Sequence, residues 1–408
     1  MEELTDAVRH ALKILFLSQR VPYPPNRGDK ITTWRLIERM SREHEVHCIA
    51  FAHDEADERA AEELRSKGFA ITTIPYSDKA AKLKSLPLLL TRTPLTLGVY
   101  GSRALQAEVD KLLPSCDMAY AYSSSMGAFF LKHENKPRVM HFGELDSDKW
   151  HQYSKKASWP MSWIYHREYR TLFKFETELA NSVDQNVFCT PLEEEIFHQR
   201  IVGPPATVLR NGVDLKAFAP DPAASEPGHL AFSGVMNYHP NVDGCVHFVQ
   251  EVLPRVREEF PETRFTIIGS QPTAEILKLG ETRGVEVTGF VDDTRDYLCR
   301  AAISVAPLRI ARGIQNKVLE AMAMGLPVVG TVCATQGVNA EHQRDYIVAE
   351  SAEEQAIAIR GLLRAPDEAA ALGVRARRFV EQNYDWEVVF SHLDKIIEEC
   401  VSTENATA

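Results

Sequence analysis

The sequence lacks several features that would place it in common protein classes. Its seven cysteines are scattered and never form a Cys-x-x-Cys pair, which is typical of reduced thiols and speaks against a zinc site. No apolar stretch approaches 18 uninterrupted residues, so we expect no membrane-spanning helix. The apolar run near the acidic N-terminus is too short for a signal peptide. These absences together predict a cytoplasmic protein.

An excess of basic residues is also missing. The chain has 46 Lys and Arg against 57 Asp and Glu, a formal net charge of −11. Most of the imbalance lies in residues 201–408, which hold 29 acidic and 19 basic residues. Such a surface binds polyanions poorly, so we expect no nucleic-acid partner. With 44% hydrophobic residues over 408 positions, the chain is long enough for two or three globular domains.

The sequence does contain a regular alternation of short apolar runs and amphipathic helical segments. The apolar runs predict strands at 13–18, 46–52, 69–76, 118–123, 138–142 and 185–190, the last closing a first sheet, and then at 229–234, 264–270, 285–290, 302–307 and 327–331. Strands that alternate with helices predict βαβ units and parallel sheets. We therefore expect an α/β protein with two Rossmann-like, doubly wound domains.

The domain boundaries follow from where this pattern restarts. We expect an N-terminal domain at 1–205, a C-terminal domain at 206–385, and a final segment, 386–408, whose helix packs back toward the first domain.

Ligands of open parallel sheets bind where strand ends lead into helices. A first junction of this kind carries Gly28, which permits close approach of the backbone, followed by Asp29 at a helix start that favours an anion. Asp29 fits equally well as an ordinary helix cap. A second junction carries Gly234 and Asn237, although a single glycine at a tight turn is weak evidence by itself.

A third junction, residues 307–329, gives a stronger signal. A short loop holds Arg309, Arg312 and Gly313, and Lys317 lies on the helix that follows. Three cations within nine residues at a helix start could bind a diphosphate, while an ordinary solvated basic face is the alternative.

Glu320 lies one helical turn beyond Lys317 and is followed by small apolar residues. A partly buried carboxylate needs a hydrogen-bonding partner. Ribose hydroxyls would supply one, and a purely structural role is the alternative.

Three segments resemble the donor domain of glycosyltransferase family 4: LEAMAMGLPVV (319–329), RNGVD (210–214) and VTGFVDD (287–293). This resemblance implies a GT-B fold, with the nucleotide-sugar in the cleft between two Rossmann-like domains. It also implies transfer with retention at the anomeric carbon, with neither a metal nor another cofactor and with a UDP- or GDP-sugar as co-substrate.

Three further segments, PYPPNRGDKITTW, DSDKW and MNYHPNVDG, are similar to the sugar transferases associated with PEP-CTERM/exosortase exopolysaccharide clusters. That narrower resemblance implies a saccharide acceptor, carried by a polyisoprenyl lipid on the inner face of the plasma membrane.

The sequence departs from the family pattern at two points. The family usually has two glutamates eight positions apart; Glu320 matches the second, but Arg312 occupies the position of the first. The usual Arg and Lys after the first strand of the donor domain are also missing. We infer that Arg312 and Lys317 take over the neutralisation of the phosphates.

On the acceptor side, the strand exit at 138–150 presents His141, Glu144, Asp146 and Asp148. The family often has a histidine beside the sugar, and His141 falls at that position, although an isolated histidine is often structural. Glu144 and Asp146 compete with it as catalytic base or sugar contact. Asp146 and Asp148 also spell the DxD motif of metal-dependent GT-A glycosyltransferases.

Residues 149–175 hold eight aromatic residues and six Lys or Arg, with one acid. Aromatic and basic residues favour the surface of an anionic membrane, which predicts a peripheral contact. The alternative is a core helix whose aromatic side chains, including Trp163, Tyr165 and Tyr169, face inward, while Trp159 occupies a loop tip.

These observations predict a retaining glycosyltransferase of exopolysaccharide synthesis. Three alternatives stay open: a degenerate nucleotide-sugar-binding protein, a metal-dependent DxD-type transferase, and an epimerase-like enzyme that acts without an acceptor.

Overall fold

The computed structural model describes residues 11–311 and 313–405. The chain divides into two compact units. The first unit holds the residues up to Cys189, Glu193–Leu209 and the chain from Phe390 onward, and the second holds Thr190–Leu192 and Arg210–Val389.

The first unit is built on a parallel sheet with the strand order β3-β2-β1-β4-β5-β6-β7. Its strands are β1 (Lys13–Ser18), β2 (Glu45–Ala52), β3 (Ala70–Pro75), β4 (Met118–Tyr122), β5 (Arg138–Gly143), β6 (Gln185–Phe188) and β7 (Ala206–Val208). Ile14, Leu15, Phe16 and Leu17 are fully buried, because helices cover both faces of such a sheet and its central strands become continuous apolar runs.

The helices of this unit follow the strands in alternation. They are α1 (Gly28–Met40), α2 (Glu55–Ser66), α3 (Asp78–Ser85), α4 (Leu95–Tyr100), α5 (Arg103–Leu112), α6 (Ser124–Gly127), α7 (Asp146–Lys156), α8 (Met161–Ala180) and α9 (Pro191–Arg200), whose first two residues group with the second unit. A 3₁₀ turn, Leu86–Leu90, follows α3.

The second unit has a parallel sheet with the strand order β10-β9-β8-β11-β12-β13. Its strands are β8 (His229–Ser233), β9 (Arg264–Ile268), β10 (Val285–Gly289), β11 (Ile303–Ala306), β12 (Val328–Gly330) and β13 (Ile347–Val348). Its helices are α10 (His239–His247), α11 (Leu253–Arg257), α12 (Ala274–Leu279), α13 (Arg295–Leu298), α14 (Asn316–Ala323), α15 (Val332–Thr335), α16 (Ala352–Arg364) and α17 (Pro366–Asn383). The last helix, α18 (Trp386–Asn405), begins in this unit and continues in the first.

The predicted fold class is confirmed, with two differences in the strands. Residues 185–190 do not close the first sheet, because β7 pairs beyond β6 at the edge. Strand β13 likewise extends the second sheet. Both strands are three residues or shorter and only partly buried, so neither produces a long apolar run.

Both sheets show the same reversal of strand order. In the first unit the order reverses between β1 and β4, and in the second between β8 and β11. Ligands of doubly wound sheets bind at the carboxyl ends of the strands beside such a switch point. The two switch points therefore position the candidate site residues.

Candidate functional site

The exits of β8 and β9 lie against each other in the second unit. Gly269 has φ +151°, and a Cβ atom there would lie 1.7 Å from the carbonyl oxygen of Gly234. A Cβ atom at Gly234 would in turn lie 2.7 Å from Asn241 Nδ2. Side chains at either glycine would thus disrupt the turn that leads into α10. The close packing of this turn explains why residue 234 is a glycine. Gly269 belongs to the same turn and was not singled out from the sequence.

Asn241 connects this turn to the third junction. It is buried, its Nδ2 donates a hydrogen bond to the carbonyl oxygen of Val235 at 2.9 Å, and its Oδ1 accepts one from Lys317 Nζ at 3.2 Å. The sequence shows Asn241 only as part of the MNYHPNVDG segment, without a sign that it faces Lys317. The contact brings the lysine of the third junction to the switch point between β8 and β11.

Lys317 occupies the first turn of α14. Its ammonium lies 5.4 Å from the centroid of the Phe232 ring, and burial lowers the pKa of Lys317 to about 8. Glu320 lies one turn further along the helix, where burial raises the pKa of its carboxyl and the charge of Lys317 opposes that shift. Both groups titrate closer to neutrality than usual, as functional groups in clefts often do.

The structure gives Arg309 a partner that the sequence argument did not consider. Its Nε donates a hydrogen bond to Asp243 Oδ2 at 2.8 Å, and a second ion-pair contact joins the same two side chains. The pair raises the pKa of Arg309 and lowers that of Asp243. Arg309 is therefore neutralised by Asp243. Arg312 lies outside the described residues, and Gly313 has a left-handed φ of +64° just before α14.

The two remaining donor-site candidates lie on the surface. Gly28 is the first residue of α1 in the first unit, and the Arg27 guanidinium lies 2.6 Å from the Asp29 carboxylate. Asn237 is exposed beyond β8 and donates a hydrogen bond to Gln271.

His141 of the first unit lies near the end of β5 and is fully buried. Its Nδ1 is 2.8 Å from the hydroxyl of Tyr120, and the Tyr122 ring packs edge-on at 4.8 Å. Burial lowers the pKa of His141 to about 3, so its imidazole is neutral. Its Nε2 has no hydrogen-bond partner within the part of the chain that the structure describes.

Glu144 and Asp146 share one lysine. Lys149 Nζ lies 3.8 Å from Glu144 Oε1 and 3.9 Å from Asp146 Oδ1, and the Ser124 hydroxyl donates a hydrogen bond to Asp146 Oδ2 at 3.2 Å. Both carboxylates are partly exposed, so they remain accessible to a ligand.

The second aspartate of the DxD sequence has different partners. Asp148 is buried, forms an ion pair with Arg200 and accepts a hydrogen bond from Gln152 Nε2 at 2.9 Å. Over residues 11–311 and 313–405, no cluster of three or more His, Cys, Asp or Glu has a geometry suited to a metal ion.

The switch point of the first unit contains residues that the sequence argument missed. Gln19, which follows β1, donates hydrogen bonds through Nε2 to the hydroxyl oxygens of Ser123 at 2.8 Å and Ser125 at 2.7 Å, both of which follow β4. Ser123 has a left-handed φ of +78°. Polar residues at two strand exits were the available signal, but the contact spans more than a hundred residues of sequence.

Solved structures of low sequence identity share this fold. HepE of Anabaena, solved with UDP and glucose, has 16% identity and a TM-score of 0.67 over 95% of this chain and 99% of its own. Sucrose-phosphate synthase of Thermosynechococcus elongatus has 15% identity and a TM-score of 0.72 over 96% and 100% of the two chains. The protein has the GT-B fold.

Sequence comparisons identify the class of enzyme. Residues 227–365 match the family model described as Glycosyl transferases group 1. A protein of Klebsiella pneumoniae described as an uncharacterized 44.6 kDa protein in the cps region is 21% identical over 401 residues, 94% of this chain and 99% of that protein. A GDP-mannose-dependent alpha-(1-6)-phosphatidylinositol monomannoside mannosyltransferase of Mycolicibacterium smegmatis is 26% identical over 244 residues, 54% of this chain and 63% of that enzyme.

The protein is therefore a glycosyltransferase, and the part of its second unit at 227–365 is similar to the group 1 family model. The narrower resemblance to sugar transferases of PEP-CTERM/exosortase clusters stays a prediction.

Proposed function

We propose that this enzyme transfers a sugar, with retention at the anomeric carbon, from a nucleoside-diphosphate sugar to a saccharide acceptor carried by a lipid. The observation that carries the donor part is the position of Lys317. Its ammonium reaches the exit of β8 beside Gly234, held by Asn241 at 3.2 Å. This is the end of the sheet where a parallel fold binds phosphate groups.

Lys317 compensates for the basic residues that the β8 exit lacks. Lys317 Cε lies 3.4 Å from where a Cβ atom of Gly234 would be, so a cation from α14 occupies the neighbourhood that a basic residue after β8 would otherwise fill. A lysine partly withdrawn from water interacts more strongly with an anion than an exposed one does. Lys317 thus contacts the diphosphate, and Glu320, one turn away, accepts hydrogen bonds from ribose hydroxyls.

The leaving diphosphate develops negative charge as the bond to the sugar breaks. A fixed cation and the start of α14 stabilise that charge without having to reorganise during the reaction. The sugar passes through an oxocarbenium-like state, and the acceptor hydroxyl attacks from the face that the diphosphate leaves.

His141 acts in this proposal as a hydrogen-bond donor rather than as the base. Burial holds the pKa of Tyr120 well above its ordinary value, so the Tyr120 hydroxyl keeps its proton, and we assign it as the donor to His141 Nδ1. The single proton of the neutral imidazole then lies on the buried Nε2, which has no hydrogen-bond partner among the described residues and is the group that would donate to a sugar hydroxyl. The partly exposed carboxylates of Glu144 and Asp146 are left as the candidates to accept the proton of the acceptor.

The relatives support the acceptor and donor classes. One is described as lying in a cps region, and the mannosyltransferase is named for GDP-mannose and a phosphatidylinositol mannoside. HepE was solved with UDP. A nucleotide-linked donor with UDP or GDP, and an acceptor with a lipid part, are therefore the classes to test first.

The test is a thermal-shift screen with UDP-, GDP-, ADP- and dTDP-sugars, followed by a turnover assay with the stabilising donor. A ligand that binds only the folded protein raises its apparent stability. We expect one nucleotide class to stabilise the wild type but not Lys317→Ala, and turnover of donor to require membrane extract. Stabilisation without any turnover would identify a nucleotide-sugar-binding protein, and conversion of the donor alone would identify an epimerase-like enzyme. Stabilisation by no nucleotide-sugar would contradict the donor site.

A further inference from the structure

Two neighbouring segments of the first unit expose large apolar side chains to solvent. We call Leu83–Thr93 the strap, which runs from the end of α3 toward α4, and Trp159–Trp163 the tip, which leads into α8. Leu90 is 93% exposed, Trp159 82% and Leu83 68%, and Leu86, Met161 and Trp163 are also exposed. Exposed apolar residues grouped in this way mark a binding surface more often than single ones do.

Two side chains of α8 hold the strap against the helix. The Arg167 guanidinium donates hydrogen bonds to the carbonyl oxygens of Leu89 at 3.1 Å, Thr91 at 2.7 Å and Thr93 at 3.0 Å. The buried carboxylate of Glu168 accepts hydrogen bonds from the backbone N–H groups of Leu95 and Thr96 just beyond it.

Trp163 of the tip lies one helical turn before Arg167. Residues four apart lie on the same face of a helix, separated by a rise of about 6 Å. The strap and the tip are therefore neighbours, although more than sixty residues separate them in the sequence.

Basic side chains surround these apolar ones. Helix α3 and the strap together carry Lys79, Lys82, Lys84 and Arg92, and the tip is preceded by Lys155 and Lys156. All six are exposed and, among the described residues, none of them forms an ion pair. Asp78 is the only acid in residues 77–94, and residues 149–163 contain none, in a chain whose net charge is −11.

We propose that the strap and the tip together dock reversibly on an anionic lipid bilayer. Tryptophan side chains favour the level of the headgroups, leucine side chains enter the boundary of the acyl chains, and lysines attract anionic lipid. This surface uses no residue of the donor site, so it goes beyond the proposed transfer reaction.

The membrane contact differs from the one that the sequence of residues 149–175 predicts. Trp150 and Tyr165 pack together with ring centroids 5.3 Å apart, and Tyr169 packs on His151 at 4.4 Å, so these half-buried aromatic side chains are engaged between α7 and α8. Trp163, by contrast, faces solvent. The proposed surface therefore keeps only the tip from residues 149–175 and adds the strap, which lies outside that segment.

Vesicle flotation with the full chain tests the proposal. We expect the protein to float with vesicles of phosphatidylcholine and phosphatidylglycerol at low salt, to float less at high salt, and to stay in the soluble fraction with phosphatidylcholine alone. Leu86→Ser with Leu90→Ser, and separately Trp159→Ser with Trp163→Ser, should each lower the partition coefficient at least about tenfold, because each pair removes apolar area from the bilayer. Reversing Lys155 and Lys156 to Glu should also weaken binding.

The matched control is Leu277→Ser with Lys278→Glu, an exposed apolar and basic pair on α12 of the second unit, which should float like the wild type. Thermal melting of every variant checks that folding is intact. Failure of the wild type to float at low salt overturns the proposal. Loss of flotation in the tryptophan variant but not in the leucine variant also overturns it, because the strap would then make no contact with the bilayer. Self-association through this surface without vesicle binding overturns it as well.

Discussion

The switch points of the two units can be compared directly, because both sheets have the same reversal of strand order. At the second, the half-buried ammonium of Lys317 lies beside the strand exits that hold Gly234 and Gly269. At the first, uncharged groups meet: Gln19 donates to Ser123 and Ser125, and a neutral His141 lies on the next strand. One topology thus carries a fixed charge in one unit and neutral hydrogen-bonding groups in the other.

This difference suggests a division of tasks between the units. A diphosphate is best recognised by a fixed cation, whereas sugar hydroxyls are recognised by neutral donors and acceptors of defined geometry. Charge-removing substitutions should therefore affect nucleotide binding in the second unit only.

The largest effect is expected for Lys317→Ala. Loss of a charge-assisted contact worth about 1.5–3 kcal/mol should lower kcat/KM by roughly one to two decades. Steady-state kinetics and calorimetric titration with the free nucleoside diphosphate should show the loss in the same variant, and Glu320→Ala should weaken nucleotide binding as well. Lys278→Ala, an exposed lysine of the same unit, is the control. Wild-type kinetics in a folded Lys317→Ala protein would refute the diphosphate contact.

A smaller effect is expected for His141→Ala. Removing a neutral donor to a sugar hydroxyl costs about 1 kcal/mol, or roughly fivefold to tenfold in kcat/KM. Affinity for the free nucleoside diphosphate should stay unchanged, because the first unit does not hold the phosphates. Equal losses of nucleotide affinity in the His141 and Lys317 variants would remove the distinction between the two switch points.

The sequence predicted much of the fold but little of this contrast. Runs such as 13–18 and 229–234 identified the central strands because buried parallel strands are continuously apolar. The contacts that define the charges are not local: Arg309 and Asp243 are 66 residues apart, and Lys317 and Asn241 are 76 apart. Local composition showed three cations near α14, but it could not show that Asp243 neutralises one of them. The Arg167 contacts that join the strap to α8 were hidden for the same reason.

The depressed pKa of Lys317 predicts that nucleotide affinity changes by a few-fold to about tenfold between pH 7 and pH 9. Below about pH 8 the folded protein holds this lysine charged, whereas above it the ammonium loses its proton and a diphosphate must bind together with a proton. Nucleotide affinity should therefore fall between pH 7 and pH 9. The unliganded protein should behave oppositely: the unfolded chain binds more protons than the folded one between about pH 8 and the ordinary lysine pKa, so Lys317 makes the free energy of unfolding rise with pH there.

Calorimetry in buffers of different ionisation enthalpy measures the proton uptake directly. Lys317→Arg is the control, because a guanidinium keeps its charge over this range and should flatten the profile. An unchanged pH profile in that variant would assign the dependence to another group.

The smallest effect is expected from removal of divalent ions. Asp146 lies within 3.9 Å of Lys149 and accepts a hydrogen bond from Ser124, whereas Asp148 is engaged by Arg200. The two carboxylates of the DxD sequence therefore have separate cationic partners, and the proposed mechanism assigns the charge of the leaving diphosphate to Lys317. We expect transferase activity to be unchanged in excess EDTA. Asp148→Asn should lower the melting temperature, because it leaves Arg200 without its ion pair, and should leave kcat/KM nearly unchanged. Loss of activity in EDTA that Mn²⁺ specifically restores would instead make Asp146 and Asp148 metal ligands. The charge of the leaving diphosphate would then be neutralised by a metal ion bound to the first unit.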